Sequence, residues 1–243
     1  MLRYVFILLT FLLSVLFPTT GFSDILAEDM LVLRGEETLL SAQTRGRFFP
    51  EGGRLVEFFL HGTSLGKSLS GGDGFAYKEF TSRKSGLFHI AVKSGDDEDT
   101  CVVLSLKKGD QVIFIDVEGS LLDGIFSQKP KQGSREVVKE LSQKYPLVFL
   151  QTGLLTIKVL KSWLKENGFV DVPVLAWGEG ALFNEIHKKG LKIKALIGSQ
   201  SVIGSALEYK PLSFSFQEGE DAHIVKNWEE IGEMLLKRTR HPH

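Results

Sequence analysis

The chain has 243 residues, 43% of them hydrophobic and 24% charged, which is the composition of a globular protein long enough for one large domain or two small ones. Lys and Arg number 29 against 30 Asp and Glu, so there is no basic surplus for wrapping a phosphate backbone, and nucleic acid is not an expected partner. Cys101 is the single cysteine, which excludes an intramolecular disulfide and a thiolate metal cluster.

Residues 1–23 begin Met-Leu-Arg and continue with a run from Val5 to Phe17 that is apolar except for Thr10 and Ser14; small residues at Gly21 and Ser23 then precede Asp24. One positive charge, a short apolar core and small residues at its end are the parts of a secretory signal peptide. The run is short beside the roughly 20 residues needed to cross a bilayer, so an uncleaved anchor is the lesser alternative. Export to the periplasm or the exterior is expected, with no permanent transmembrane helix after cleavage. No cysteine follows the run, so the amino terminus is not set up for lipid modification.

From Met30 to Leu106 short β-prone runs are cut by Gly, Asp and Ser. Strands are expected at Met30–Arg34, Thr38–Gln43, Arg54–His61, Phe75–Phe80, Leu87–Lys93 and Thr100–Leu106. Several alternate in character, as Phe88, Ile90 and Val92 do against His89, Ala91 and Lys93. Their spacing of about ten residues predicts an antiparallel sandwich over residues 24–108. The landmarks Leu33-Arg34-Gly35-Glu36, Val56-Glu57-Phe58-Phe59, Gly72-Asp73-Gly74-Phe75 and Ser85-Gly86-Leu87-Phe88 resemble those of bacterial immunoglobulin-like domains. That resemblance carries no catalytic motif.

At Lys107-Lys108-Gly109-Asp110 the pattern changes. All-apolar strands at Val112–Val117, Leu147–Gln151, Val172–Ala176 and Ala195–Ile197 alternate with helical patterns around Glu136–Lys144, Leu155–Asn167, Ala181–Lys189 and Val225–Lys237. Strands apolar on both faces belong to a parallel sheet covered by helices, so residues 109–243 are expected to form a three-layer α/β domain. Gly168 and Gly190 follow basic last turns, in position for left-handed helix caps.

Ligands of such sheets bind beyond the carboxyl ends of the strands. The first strand ends Phe114-Ile115-Asp116-Val117-Glu118-Gly119-Ser120-Leu121, placing two carboxylates two residues apart beside a glycine and a hydroxyl. This run resembles the first motif of the haloacid-dehalogenase-like superfamily, Asp-x-Asp-Gly-Thr-Leu, which implies a Rossmann-like fold and phosphoryl-transfer chemistry. The resemblance places Asp116 as nucleophile and Glu118 as acid/base, both near a Mg²⁺ ion. It places Thr152, with Gly153, at the second motif as a phosphate holder, and Lys192 at the third, with Lys189 as runner-up. At the fourth motif the family has acids, whereas here Ser199 follows Gly198, so Mg²⁺ affinity is expected to be weak or absent. Thr152-Gly153, Trp163-Leu164, Asn167-Gly168-Phe169 and Leu191-Lys192-Ile193-Lys194 are most similar to the lipin and phosphatidylinositol-transfer-protein carboxy-terminal domains.

The resemblance implies a degenerate phosphatase domain that binds a phosphorylated small molecule, a phospholipid head group or a protein partner without turnover. One alternative is a Mg²⁺-dependent phosphohydrolase with an aspartyl nucleophile. A second is a structural cell-envelope protein that binds through the immunoglobulin-like domain. Trp163 lies at helical spacing with Val159, Leu160 and Leu164 and reads as core, while Trp177 is a candidate for the crevice mouth. His61, His89, His187 and His223 have no ligand spacing, and Glu218, Glu220 and Asp221 read as a solvated loop.

Overall fold

A computed structural model describes residues 24–124 and 129–237. The signal-peptide reading of residues 1–23 lies outside the described residues, as does the tail from 238 to 243. Among the described residues no helix is long and apolar enough to cross a membrane.

The amino-terminal domain has eight strands: β1 (Asp24–Ala27), β2 (Met30–Leu33), β3 (Glu37–Arg45), β4 (Leu55–Leu60), β5 (Thr63–Leu69), β6 (Phe75–Thr81), β7 (Gly86–Ser94) and β8 (Asp97–Leu106). They form two sheets, ordered β1-β3-β6 and β2-β8-β7-β4-β5. Ile25, Leu40, Val56, Phe58, Ile90 and Cys101 meet between them, each 1% exposed or less. β1 and β5 had no sequence signal: the first is four residues long, and the second reads Thr-Ser-Leu-Gly-Lys-Ser-Leu, with little to bury. The all-antiparallel expectation is corrected at β2, which runs parallel to β8 from Met30 opposite Val103 to Leu33 opposite Leu106. The chain changes sheets between β1 and β2, so the two strands, running the same way, edge different sheets. An opening strand shared between both sheets, with β8, β7 and β4 adjacent in the second, is an immunoglobulin-like arrangement.

β2 and β8 are apolar on both faces for a tertiary reason. Val32 and Val103 point into the sandwich, whereas Leu31, Leu33, Leu104 and Leu106 join the core of the second domain. Between the domains lies a single turn, in which the Asp110 carboxylate accepts from the Lys107 amide at 2.8 Å and Gly109 takes a φ of 92°. A β-carbon is disfavoured at that φ, so the glycine lets the chain reverse directly into the next sheet.

The second domain contains β9 (Gln111–Asp116), α1 (Ser134–Ser142), β10 (Leu147–Gln151), α2 (Ile157–Glu166), β11 (Val174–Ala176), α3 (Ala181–Lys188), β12 (Lys192–Ile197), α4 (Gln200–Gly204), β13 (Leu212–Ser215), β14 (His223–Ile224) and α5 (Trp228–Lys237). The sheet order is β11-β10-β9-β12-β13-β14, with every neighbouring pair parallel. Successive strand residues feed opposite cores: Ile113, Ile115 and Phe149 pack under α1, α2 and α5, while Phe114, Val148 and Leu150 pack under α3 and α4. This two-sided burial is why the strands carry unbroken apolar runs. β13, β14 and α4 were not anticipated, being four, two and five residues long and too short for a periodic signal. Gly168 and Gly190 both adopt a φ of 71°, closing α2 and α3 as their sequences indicate.

The two domains are joined by more than the turn. Asp29, between β1 and β2, has a fully buried side chain. Its carboxylate accepts from the Val102 amide at 2.8 Å in the sandwich, and from the Val174 amide at 2.8 Å and Lys161 Nζ at 2.9 Å in the α/β domain. Lys161 also donates to the Thr100 carbonyl, and Lys189 donates to that of Leu31, both at 2.8 Å. Burial pushes the Asp29 carboxyl above its ordinary value, and the Lys161 ammonium and the two amides offset part of that rise.

Candidate functional site

In the α/β sheet the strand order reverses around β9, so the crevice expected of such a sheet lies at the carboxyl ends of β9 and β12. Asp116 is the last residue of β9, and the chain leaves it in a tight π turn, Val117–Leu121. Ser120 Oγ ties that turn back to the Asp116 carbonyl, and Trp228 Nε1 of α5 donates to the Ser120 carbonyl at 3.1 Å. The site loop is therefore braced by the last helix of the fold.

The Asp116 side chain is surrounded by donors. Its Oδ1 accepts from the Gly119 amide at 2.9 Å and from Thr152 Oγ1 at 2.6 Å, and its Oδ2 accepts from the Ser199 amide at 3.1 Å. Asp116 is 0% exposed. Glu118 turns onto the next loop, where its two oxygens accept from the Gly153 amide at 2.6 Å and the Leu155 amide at 3.2 Å. Glycines permit this closeness. A β-carbon on Gly119 would lie 2.2 Å from Asp116 Oδ2, one on Gly198 would lie 2.7 Å from Asp116 Cβ, and one on Gly153 would lie 2.4 Å from Glu118 Oε1.

Asp116, Glu118, Thr152, Gly153 and Ser199 are thus brought together, although they span 83 positions of sequence between Asp116 and Ser199. Lys192 is not among them, which corrects its placement as a phosphate holder. It opens β12 opposite Gln111, the first residue of β9, while Asp116 closes β9. Five steps of a strand separate the two levels by about 16 Å. Lys189, the runner-up, is held at the domain junction by the Leu31 carbonyl. The helix between the third and fourth strands ends on the amino side of the sheet, so lysines at its close face away from the crevice.

The resemblance names Asp116 and Glu118 as the residues that would hold Mg²⁺, with weak or no affinity expected, and the donor set fits a hard dication poorly. A hard dication needs carboxylate oxygens facing a common space. Here one carboxylate has no exposed surface, the other spends both oxygens on backbone amides, and the Ser199 hydroxyl lies 3.2 Å from that of Ser201. The Trp177 indole N–H donates to Ser205 Oγ at 3.0 Å, and the half-buried ring packs against the core under α3 and α4. Trp163 packs in the core beside Phe169, their ring centroids 5.5 Å apart. A cleft of about 360 Å³ lies at the domain junction, near the amino ends of the strands, lined by Leu33, Glu36, Lys108, Glu185, Lys188 and Lys189.

No family model and no curated protein matches this chain. Among solved structures, the D0-D1 domain of Intimin aligns over 34% of this chain and 46% of its own, at 14% identity and a TM-score of 0.29. The IG27 protein domain aligns over 37% of this chain and 99% of its own, at 9% identity and a TM-score of 0.30. Domains 4 and 5 of the S-layer protein SbsC align over 34% of this chain and 50% of their own, at 12% identity and a TM-score of 0.26. The chain spans about half the length of the Intimin and S-layer fragments it matches. Similarity at this level says nothing of ligand or activity.

Sequence reasoning missed Asp29 and Lys161, whose importance comes from burial between domains. It also passed over the pair Phe48-Phe49, for which a signal existed: two adjacent aromatics inside an otherwise polar loop.

Proposed function

We propose that this is an exported structural protein of the cell envelope, made of an immunoglobulin-like sandwich fused to a haloacid-dehalogenase-like domain whose reaction crevice is closed. The observation that carries the reading is the burial of Asp116, whose two oxygens are occupied by Thr152, Gly119 and Ser199. A nucleophile must reach its target atom; this carboxylate instead serves as the buried hub of three loops. The parallel sheet with Asp116 at its switch point, the π turn after it and Thr152 on the neighbouring strand support the kinship to that superfamily. Against phosphate binding in the crevice stand two carboxylates and the placement of Lys192 and Lys189 away from it. Binding then falls to the outer surfaces of a stiff two-domain body, which the contacts of Asp29 support.

One contact favours a second reading. The amides of Gly153 and Leu155 already bind a carboxylate, that of Glu118, so a phosphoryl ligand able to displace it would find two donors in place.

Phosphate release from an aryl phosphate, with and without Mg²⁺, tests the proposal when run on the whole protein beside Asp116→Asn and Glu118→Ala. No turnover in any of the three is expected, and activity lost in Asp116→Asn would overturn the closed-crevice reading. Saturable binding of inorganic phosphate that Glu118→Ala strengthens would favour the second reading.

A further inference from the structure

We propose that the protein rests against a phospholipid bilayer through the loop joining β3 to β4, at the edge where residues 1–23 enter the fold. Phe48 and Phe49 in this loop are 74% and 77% exposed. They are presented by a fixed turn: the Gly46 amide donates to the Phe49 carbonyl at 2.9 Å, the Glu51 amide donates to the Thr44 carbonyl at 2.9 Å, and Arg45 bridges to Pro50. Two adjacent aromatic rings held out into solvent lose hydration favourably only when an apolar phase receives them. The guanidinium of Arg47 lies 5.2 Å from the Phe48 ring, pairing a cation with an aromatic face as interfacial sites do.

The occupant is indicated by what surrounds the loop. Asp24, the first described residue, pairs in register with Arg45, so the described chain begins beside this turn. Lys158 of α2 forms an ion pair with the same Asp24. The loop before α2 carries Leu154, which is 99% exposed. Of the acids nearby, Asp24 pairs with Lys158, Glu51 lies opposite Arg54 at 3.7 Å and Asp73 accepts from the Phe75 amide, while Arg45 and Arg47 are offered to anionic lipid phosphates. A flat, negatively charged surface with an apolar interior matches this chemistry, and it is independent of the closed crevice.

The test uses the full chain with vesicles of phosphatidylcholine and phosphatidylglycerol, carrying either Phe49→Trp or Leu87→Trp. Leu87 is an exposed control near the opposite end of the sandwich, on β7. With vesicles present, the indole added by Phe49→Trp should shift its emission to the blue and be quenched by brominated acyl chains, while that added by Leu87→Trp should do neither. Unquenched emission from Phe49→Trp on vesicle-bound protein would overturn the proposal. So would equal quenching at both positions, or no vesicle binding by the full chain.

Discussion

Asp29 of the sandwich and Lys161 of the α/β domain form a buried ion pair with an N–O distance of 2.9 Å, set between two backbone amides that belong to different domains. Charges taken out of water are tolerated only when fully satisfied, so this pair ties the position of one domain to that of the other. Replacing Asp29 by Ala leaves the Val102 and Val174 amides without their acceptor and the Lys161 ammonium with only the Thr100 carbonyl. A loss of about 3–5 kcal/mol is expected in chemical denaturation, with faster hydrogen exchange at Val102 and Val174.

The same carboxyl sets a pH dependence. Its value is raised by burial, so between the ordinary carboxylate value of about 4 and the raised one, native Asp29 binds more proton than the unfolded chain. Stability from this group is then greatest at the acid end of that window and falls as pH rises through it. The unfolding free energy of the wild type minus that of Asp29→Asn should slope downward with pH across the window and level off above it. Urea titrations at a series of pH values measure the slope, and an upward slope would mean that attraction by Lys161 outweighs burial.

Thr152 and Asp116 are joined by a 2.6 Å hydrogen bond to a carboxylate that water does not reach. Thr152→Val removes the donor while keeping the shape of the side chain. A loss of about 1.5–3 kcal/mol in unfolding free energy is expected, as for hydrogen bonds to charged groups. An unchanged denaturation midpoint would show that Asp116 is not the structural hub described above.

Gly119→Ala and Gly153→Ala should differ. The added methyl at Gly119 meets Asp116 and the Ser199 amide, 2.2 and 2.9 Å away, neither of which can retreat. At Gly153 it meets the end of the Glu118 side chain, 2.4 Å away, which can swing toward solvent. Gly119→Ala should cost on the order of 2–3 kcal/mol, and Gly153→Ala clearly less. Thermal melts of the two variants compare them directly.

Cys101 is 0% exposed, and burial pushes its thiol up to about 12. Alkylating reagents act on the thiolate, so native protein should resist labelling at neutral pH and react only as it unfolds. The labelled fraction against urea concentration should overlay the unfolding curve from circular dichroism.

Much of the architecture was legible from local pattern. The change at Lys107–Asp110 from short alternating strands to all-apolar strands and helices marks where one kind of sheet gives way to another. Asp116, at the end of an apolar strand and three residues before Gly119, announced the switch point of that sheet. Elements of two to five residues, such as β1, β13, β14 and α4, were not legible, because a short segment carries too few residues to show a period.

By itself the sequence determined the longer strands and helices and which of their faces are apolar, since these follow from spacing along the chain. It also determined that Asp116, Thr152 and Ser199 lie at or just past the carboxyl ends of strands. Only the tertiary structure decided what those groups do there. Register put Lys192 level with Gln111, at the opposite end of the strands from Asp116, and close packing at Gly119, Gly153 and Gly198 set the backbone against the Asp116 and Glu118 side chains. It also decided that Asp29, an ordinary acid between two strands, is a buried joint, because its partner Lys161 lies 132 residues away. Contacts at that separation depend on how the two sheets are stacked, which no local spacing encodes.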